Sequence, residues 1–307
     1  MSLRQRRSIP LPGGPGKGFD HADTVTDPRG NRIYVAHTAM DAMDVIDCRT
    51  NRYLRTIGEL PGIAGVLVDN RHDLIVTSDR GASRVSLFRA SDERLLARVG
   101  VGPRPNGLAY DTKRRRVLAF NLGEPAGTNC TASVIDVATA AVVKTIPLPG
   151  RPRWAVYDVA SDSVFANIQE PAIILRIDAS SLTERGRIEV GCAGPNGLAL
   201  VDGRLFCAAD GGEVVVIGDP AGTPRVLKRL PLRGVPDVVW HAGIAPLLYV
   251  AIGEPGVVTV IDTQRLVETE TVVTATGAHT LGWDAATRHL YVFAPADGAA
   301  IVFEEVA

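Results

Sequence analysis

Aromatic residues are scarce, at 5% of 307 positions, and the tryptophans number three: Trp154, Trp240 and Trp283. So thin a set gives poor support to a stacking platform for sugars or bases. Neither sign of charge dominates, since 33 Lys+Arg stand against 34 Asp+Glu for a net charge of −1. That balance argues against nucleic acid or an anionic membrane as the main partner. No apolar run reaches the roughly 18 residues a membrane helix needs, because charges and prolines interrupt each one. Four cysteines, Cys48, Cys130, Cys192 and Cys207, form no CxxC pair and lack the histidine spacing of a zinc site. Cys192 and Cys207 would either join in an oxidising compartment or remain buried thiols like the other two. No apolar segment follows the first seven residues, so no secretory leader is present and a cytoplasmic location is expected. A periplasmic or secreted protein with its leader removed is the alternative. No Ser-His-Asp arrangement, phosphate loop or dinucleotide fingerprint occurs, so no organic cofactor is expected.

What the chain does contain is repetition. Hydrophobic residues at 46% and charged residues at 22% describe an ordinary folded chain, and 31 Gly with 20 Pro make it turn often. Val45-Ile46-Asp47 recurs as Val134-Ile135-Asp136 and Val260-Ile261-Asp262, with looser copies ending at Arg89, Asp178, Gly218 and Glu304. The successive spacings are 42, 47, 42, 40, 44 and 42 residues. Each unit reads as four short β-branched strands between turn signals, with no long stretch of helical period. Four strands in each of seven repeats predict an all-β chain, a seven-bladed β-propeller of antiparallel sheets. Approximate blades are 18–56, 57–98, 99–147, 148–188, 189–229, 230–270, and 271–307 completed by 5–12. The last repeat lacks a fourth strand, and Ser8-Ile9-Pro10-Leu11-Pro12-Gly13 matches the fourth-strand wording Thr145-Ile146-Pro147-Leu148-Pro149-Gly150. The N-terminal strand is therefore expected to pair into the last blade and lock the ring. On that reading 1–307 is a single domain with nothing but a leader upstream.

The wording Arg32-Ile33-Tyr34-Val35-Ala36-His37 and Leu248-Tyr249-Val250-Ala251, each ahead of a Val-Ile-Asp run, resembles the YVTN family of bacterial propellers. The opening Asp20-His21 is similar to the start of single-domain members of that family. The resemblance implies a propeller; relatives include lactonase-like enzymes, lyases and proteins without known chemistry.

In a propeller the first strand of each blade lines the channel, and its first residues open at one mouth. Aligned blades place Ala22 (beside His21), Ala64, Asn106, Arg153, Asn196, Asp237 and His279 in that slot. Second strands end near the same mouth at His37, Asp79, Asn121 and Ile168 (beside Asn167). Just beyond them Glu124, Glu170 and Glu254 recur in Glu-Pro pairs, which predicts either an acidic rim, joined by Asp20, or plain loop geometry. Asn106-Gly107 and Asn196-Gly197 are either mouth residues or turn formers. Ionisable groups at a channel need solvent, a partner or a ligand, so Asp237, Arg153, His21 and His279 are the main candidates, and Arg153 with Asp237 would also make a plain ion pair.

Two functional readings follow. Asn106, Asn196 and Asp237 offer oxygen ligands that suit Ca²⁺, Mg²⁺ or Mn²⁺. Pro105-Asn106-Gly107, Pro195-Asn196-Gly197 and Pro236-Asp237 resemble part of the metal shell of gluconolactonase-type propellers, although that family has six blades and its first-blade Glu is absent here. The resemblance implies a metal-assisted hydrolase or lyase acting on a small molecule at the mouth. Asp237 would be ligand and base, Arg153 would hold an oxyanion, and His21 or His279 would carry the proton. A lyase variant uses His279 with Glu254. The second reading is a non-enzymatic scaffold that binds a ligand or a protein partner. A perturbed His/Asp pair at the mouth favours the enzyme, and an exposed apolar face favours the scaffold.

Overall fold

The computed structural model describes residues 2–16 and 18–306. Among them lie seven four-stranded antiparallel sheets, each a blade. The first strands are Ala22–Val25, Ile63–Asp69, Pro105–Asp111, Pro152–Asp158, Pro195–Val201, Pro236–His241 and Thr280–Asp284. They contact one another in sequence, and the first strand of blade seven touches that of blade one, so the ring is closed. The only helices among the described residues are two three-residue 3-10 turns, Thr38–Met40 and Arg80–Ala82. None is long and apolar enough to cross a membrane.

The recurrent Val-Ile-Asp run is explained by its position. It ends the third strand, where Val45, Ile46, Val134, Ile135 and Ile261 are almost completely buried between neighbouring blades. Its aspartate then accepts the backbone N–H of the residue three positions on: Asp47 from Thr50 at 2.6 Å, Asp178 from Ser181 at 2.8 Å and Asp262 from Arg265 at 2.7 Å. Such a side chain stands in for the missing ladder partner and fixes the turn into the outermost strand. The basic run 113–116 sits in the first hairpin of blade three, where Asp111 and Asp162 both accept from Arg114.

Closure follows the sequence expectation, with a longer strand. Ser2–Pro10 pairs antiparallel with Ala299–Val306, from Ser2 opposite Val306 to Pro10 opposite Ala299, so the seam begins earlier than residue 5. It supplies the outermost strand of blade seven. Ile9 and Leu11 enter a buried cluster with Val35, Tyr291 and Phe293, which ties the seam to blade one as well.

First strands start at one mouth of the channel, here the upper, and end at the lower; second strands return to the upper mouth. In blades two to six the first strand carries a bulge just after it starts. Between the pairs Pro105–Asn121 and Leu108–Ala119, two residues oppose one, and the same count holds after Ile63, Pro152, Pro195 and Pro236. The first of the two residues freed from the ladder in each blade is Ala64, Asn106, Arg153, Asn196 or Asp237. A bulge re-aims a side chain in this way, here toward the axis.

Ile9 is 3% exposed at the seam. Ile9→Ala is expected to cost about 2–5 kcal/mol, read as a lower urea midpoint. A midpoint unchanged from the parent would show that the seam does not support the ring.

Candidate active site

The upper mouth holds a polar cavity of about 170 Å³ lined by Asp20, His21, Arg80, Arg104, Arg151 and Arg153 together with Asn106, Asn196, Asp237 and His279. Seven of the residues singled out from sequence therefore converge: Asp20, His21, Asn106, Arg153, Asn196, Asp237 and His279. Their convergence rests on close backbone approach. A Cβ on Gly107 would stand 2.2 Å from the Arg153 carbonyl oxygen, and one on Gly197 would stand 2.2 Å from that of Asp237. Asn106-Gly107 and Asn196-Gly197 lie inside strands, so they are packing devices and not turns. Second-strand side chains hold the arrangement from outside. Ser78 Oγ donates to the Asn106 carbonyl at 2.6 Å, and Asn167 Nδ2 donates to the Asn196 carbonyl at 2.8 Å.

Other expected mouth residues lie elsewhere. His37 and Asp44 are wholly buried, with Nδ1 and Oδ2 2.7 Å apart, and His37 packs on Phe19. Asp79 accepts from Thr77, Arg84 and Ser86, and Asn121 donates to Thr131 and Ser133. Each turns into its blade, where His37 Nε2 and Asn121 Oδ1 are buried without partners among the described residues. Glu124, Glu170 and Glu254 are exposed and do not line the cavity, so no acidic rim forms there. His279 thus has Asp237, and not Glu254, as its carboxyl neighbour. Cys192 and Cys207 are unpaired, as are Cys48 and Cys130.

The charge of the mouth is the reverse of an acidic rim. Four guanidiniums face two carboxylates, Asp20 and Asp237. Arg80 bridges Asp20, at 3.0 Å, and the Asn106 side-chain oxygen. Arg153 Nε donates to the Asn196 side-chain oxygen at 2.8 Å. Arg104 and Arg151 make no ion pair or side-chain hydrogen bond with the described residues, and the Nε atoms of Arg80, Arg104 and Arg151 are buried without partners. Burial, and then the like charges of Arg153, Arg80 and Arg104, hold Arg151 below the usual arginine range. Arg104 has φ +56°, a left-handed conformation unfavourable for a long side chain. The residue preceding the first strand is Gly62 in blade two and Gly194 in blade five, both at φ +58°. Blade three keeps an arginine in this glycine conformation, and the side chain ends at the mouth.

This donor set does not fit a hard divalent cation. The amide oxygens of Asn106 and Asn196 already accept from arginines, which leaves Asp237 alone of the trio within a field of four positive groups. Among the described residues no cluster of three or more His, Cys, Asp or Glu is placed to hold a metal ion.

Burial alters the proton affinities of Asp237 and His21. The Asp237 side chain takes no hydrogen bond from the described residues; burial raises its carboxyl above the usual range, and His279, Arg153 and His21 only partly oppose this. His279 Nδ1 lies 2.8 Å from the Gly277 carbonyl. A carbonyl can only accept, so Nδ1 carries the hydrogen and Nε2 of the neutral ring is a proton acceptor. His21 stacks against Trp154 with ring centroids 4.1 Å apart, and its Nε2 is 3.4 Å from Asp20. Burial holds His21 below its ordinary value, more strongly than Asp20 and Asp237 raise it.

Sequence reasoning passed over Arg80, Arg104 and Arg151. The signal was present: Arg104-Pro105 and Arg151-Pro152 place an arginine just before the first strand of consecutive blades, and Arg80 follows Asp79 by one position.

The molecule is thus a seven-bladed β-propeller with a polar, arginine-rich cavity at one mouth. No protein-family profile matches the chain, and no curated protein does. Among solved structures it is similar to a chain of Kuenenia stuttgartiensis hydrazine synthase, with TM-score 0.79 and 15% identity over 96% of this chain and 97% of that one. It is also similar to a chain in the crystal structure of a mitotic checkpoint complex, with TM-score 0.81 and 10% identity over 100% of this chain and 93% of that one. At such identities the likeness carries the fold alone.

His21, neutral when buried, makes a testable contribution to acid sensitivity. Its folded pKa lies below the unfolded value of about 6.5. Its stabilisation is therefore full above that value and is lost as pH falls through the folded pKa. His21→Gln is expected to flatten the decline of the thermal midpoint between pH 7 and pH 5. Equal declines in parent and variant would show that the buried ring takes its proton freely.

Proposed function

We propose that the upper mouth binds a small carboxylate-bearing anion and acts on it as a metal-independent lyase. The observation that carries this reading is the set of four guanidiniums, two of them without a side-chain hydrogen bond or ion pair among the described residues, around a cavity of about 170 Å³. A cavity of about 150 Å³ holds benzene, so the ligand has on the order of six to ten heavy atoms. Guanidinium is the side chain best matched to a carboxylate, through paired N–H donors.

The reaction class follows from the remaining groups. Abstraction of a proton α to a carboxylate gives an enolate bearing two negative charges, which a surplus of guanidiniums stabilises. His279 Nε2 takes that proton. The C–H electrons form the new double bond as the β-substituent leaves with its bonding pair, protonated by Asp237, whose burial favours the acid form over the carboxylate. Hydrolysis of a lactone develops a single negative charge and would leave much of this field unused.

Calorimetry with succinate, whose eight heavy atoms suit the cavity, on protein dialysed against EDTA, is expected to show binding that Arg104→Ala or Arg151→Ala weakens about 10- to 100-fold, the worth of a charged hydrogen bond. Binding that appears only on adding Ca²⁺, Mg²⁺ or Mn²⁺ would restore the metal-assisted reading. In a screen of small hydroxy- and acyloxy-carboxylates, Asp237→Asn is expected to lower turnover about 10²–10⁴-fold. Its thermal midpoint at pH 7 should rise, because a carboxyl with a raised folded pKa loses stability as pH climbs from the unfolded value of about 3.9 through the folded one. Anion binding without turnover of any member would identify a ligand-binding scaffold.

A further inference from the structure

Below the cavity the His21–Trp154 pair forms a septum, and both residues also border a second chamber of about 180 Å³. This chamber is continuous through Asp23, Leu67, Leu108 and Ala155 with a wider funnel of about 490 Å³ at the lower mouth. Its character is opposite to that of the upper mouth. Trp154 and Trp240 face it, and Tyr110 and Tyr157 line the funnel, so four of the chain's few aromatic rings meet along one passage.

Asp23 stands where chamber and funnel join. Its two oxygens each accept a backbone N–H, from Thr24 and from Val68, both at 2.7 Å. No charged side chain among the described residues compensates it, and burial lifts its carboxyl to about 7. The acidic neighbour Asp69 is already engaged by His72. Arg71, also on the funnel, is exposed and makes no ion pair with Asp23. A carboxylate inside a protein is costly without a positive partner, and each oxygen keeps a free lone pair. Indole faces add attraction for a cation and shelter for an apolar body. Tyr110 is 6% exposed, and its hydroxyl has no well-formed hydrogen bond, although Arg115 lies close enough to act on it.

We propose that the lower chamber is a second binding site, for an organic ammonium ion whose charged nitrogen meets Asp23 and whose apolar or aromatic body lies between Trp154 and Trp240. This site is separate from the anion cavity and does not depend on the lyase reading.

Trp154 and Trp240 supply the signal for a test on the intact chain, since Trp283 is buried and donates its indole N–H to the Ala242 carbonyl. Benzylammonium is expected to change the tryptophan fluorescence saturably, and at least about tenfold more tightly than benzyl alcohol of nearly the same shape. Asp23→Asn should abolish that preference while leaving succinate calorimetry at the upper mouth unchanged. Equal affinity for amine and alcohol would overturn the proposal, as would a parent protein that responds to neither. The amine–alcohol comparison uses the parent protein alone, so a variant that failed to fold would not spare the proposal.

Discussion

Seven first strands must share one axis, and at Gly107 and Gly197 the next blade's carbonyl comes to 2.2 Å from where a Cβ would stand. Backbones that close leave no room for regular pairing and side chains together. The bulges after Ile63, Pro105, Pro152, Pro195 and Pro236 relieve the crowding by releasing two residues of each first strand from the ladder. The second of each pair is Gly65, Gly107, Gly197 or Val238 in four blades and in blade four Trp154, which reaches His21 of blade one. Asn106, Arg153, Asn196 and Asp237 are each the first of their pair and all line the cavity, so the mouth is assembled by the same local event repeated around the ring.

The electrostatics of the mouth follow from that assembly. Four guanidiniums within one small cavity repel one another, and Arg151 is depressed by the other three as well as by burial. The amide oxygens of Asn106 and Asn196 and the Asp20 carboxylate offset part of this, each accepting from an arginine. The remainder is left for whatever enters. A site that is most strained when empty is preorganised for an anion, because the donors need no rearrangement when charge arrives.

Repetition made the fold legible. A period near 42 residues, a recurring hairpin aspartate and a missing final strand each have one simple architectural cause, and together they specified blades, strands and seam. The mouth was legible in part: the first-strand slot identified Asn106, Arg153, Asn196, Asp237 and His279 because alignment of repeats preserves position on the axis. Their chemistry was not. An amide oxygen serves a cation or a guanidinium equally well; Arg153 takes that of Asn196 from within the slots, whereas Arg80, which takes that of Asn106, and the further guanidiniums Arg104 and Arg151 stand outside them. The Glu-Pro loops misled because they follow second strands at this mouth while Glu124, Glu170 and Glu254 stay exposed outside the cavity. His37 and Asp79 end second strands as expected, yet their side chains turn into the blade, where Asp44, Ser86 and Arg84 satisfy them.

The seam places Ser2 opposite Val306 on the outermost blade-seven strands, at the lower rim. The two chain ends are therefore side by side, on the face away from the arginines. Connectivity around such a ring has no obligatory starting blade. A short linker between the ends and a cut at another interblade loop would move the seam to a different sheet, while the cavity kept the same walls. Circular order, more than chain order, defines this molecule.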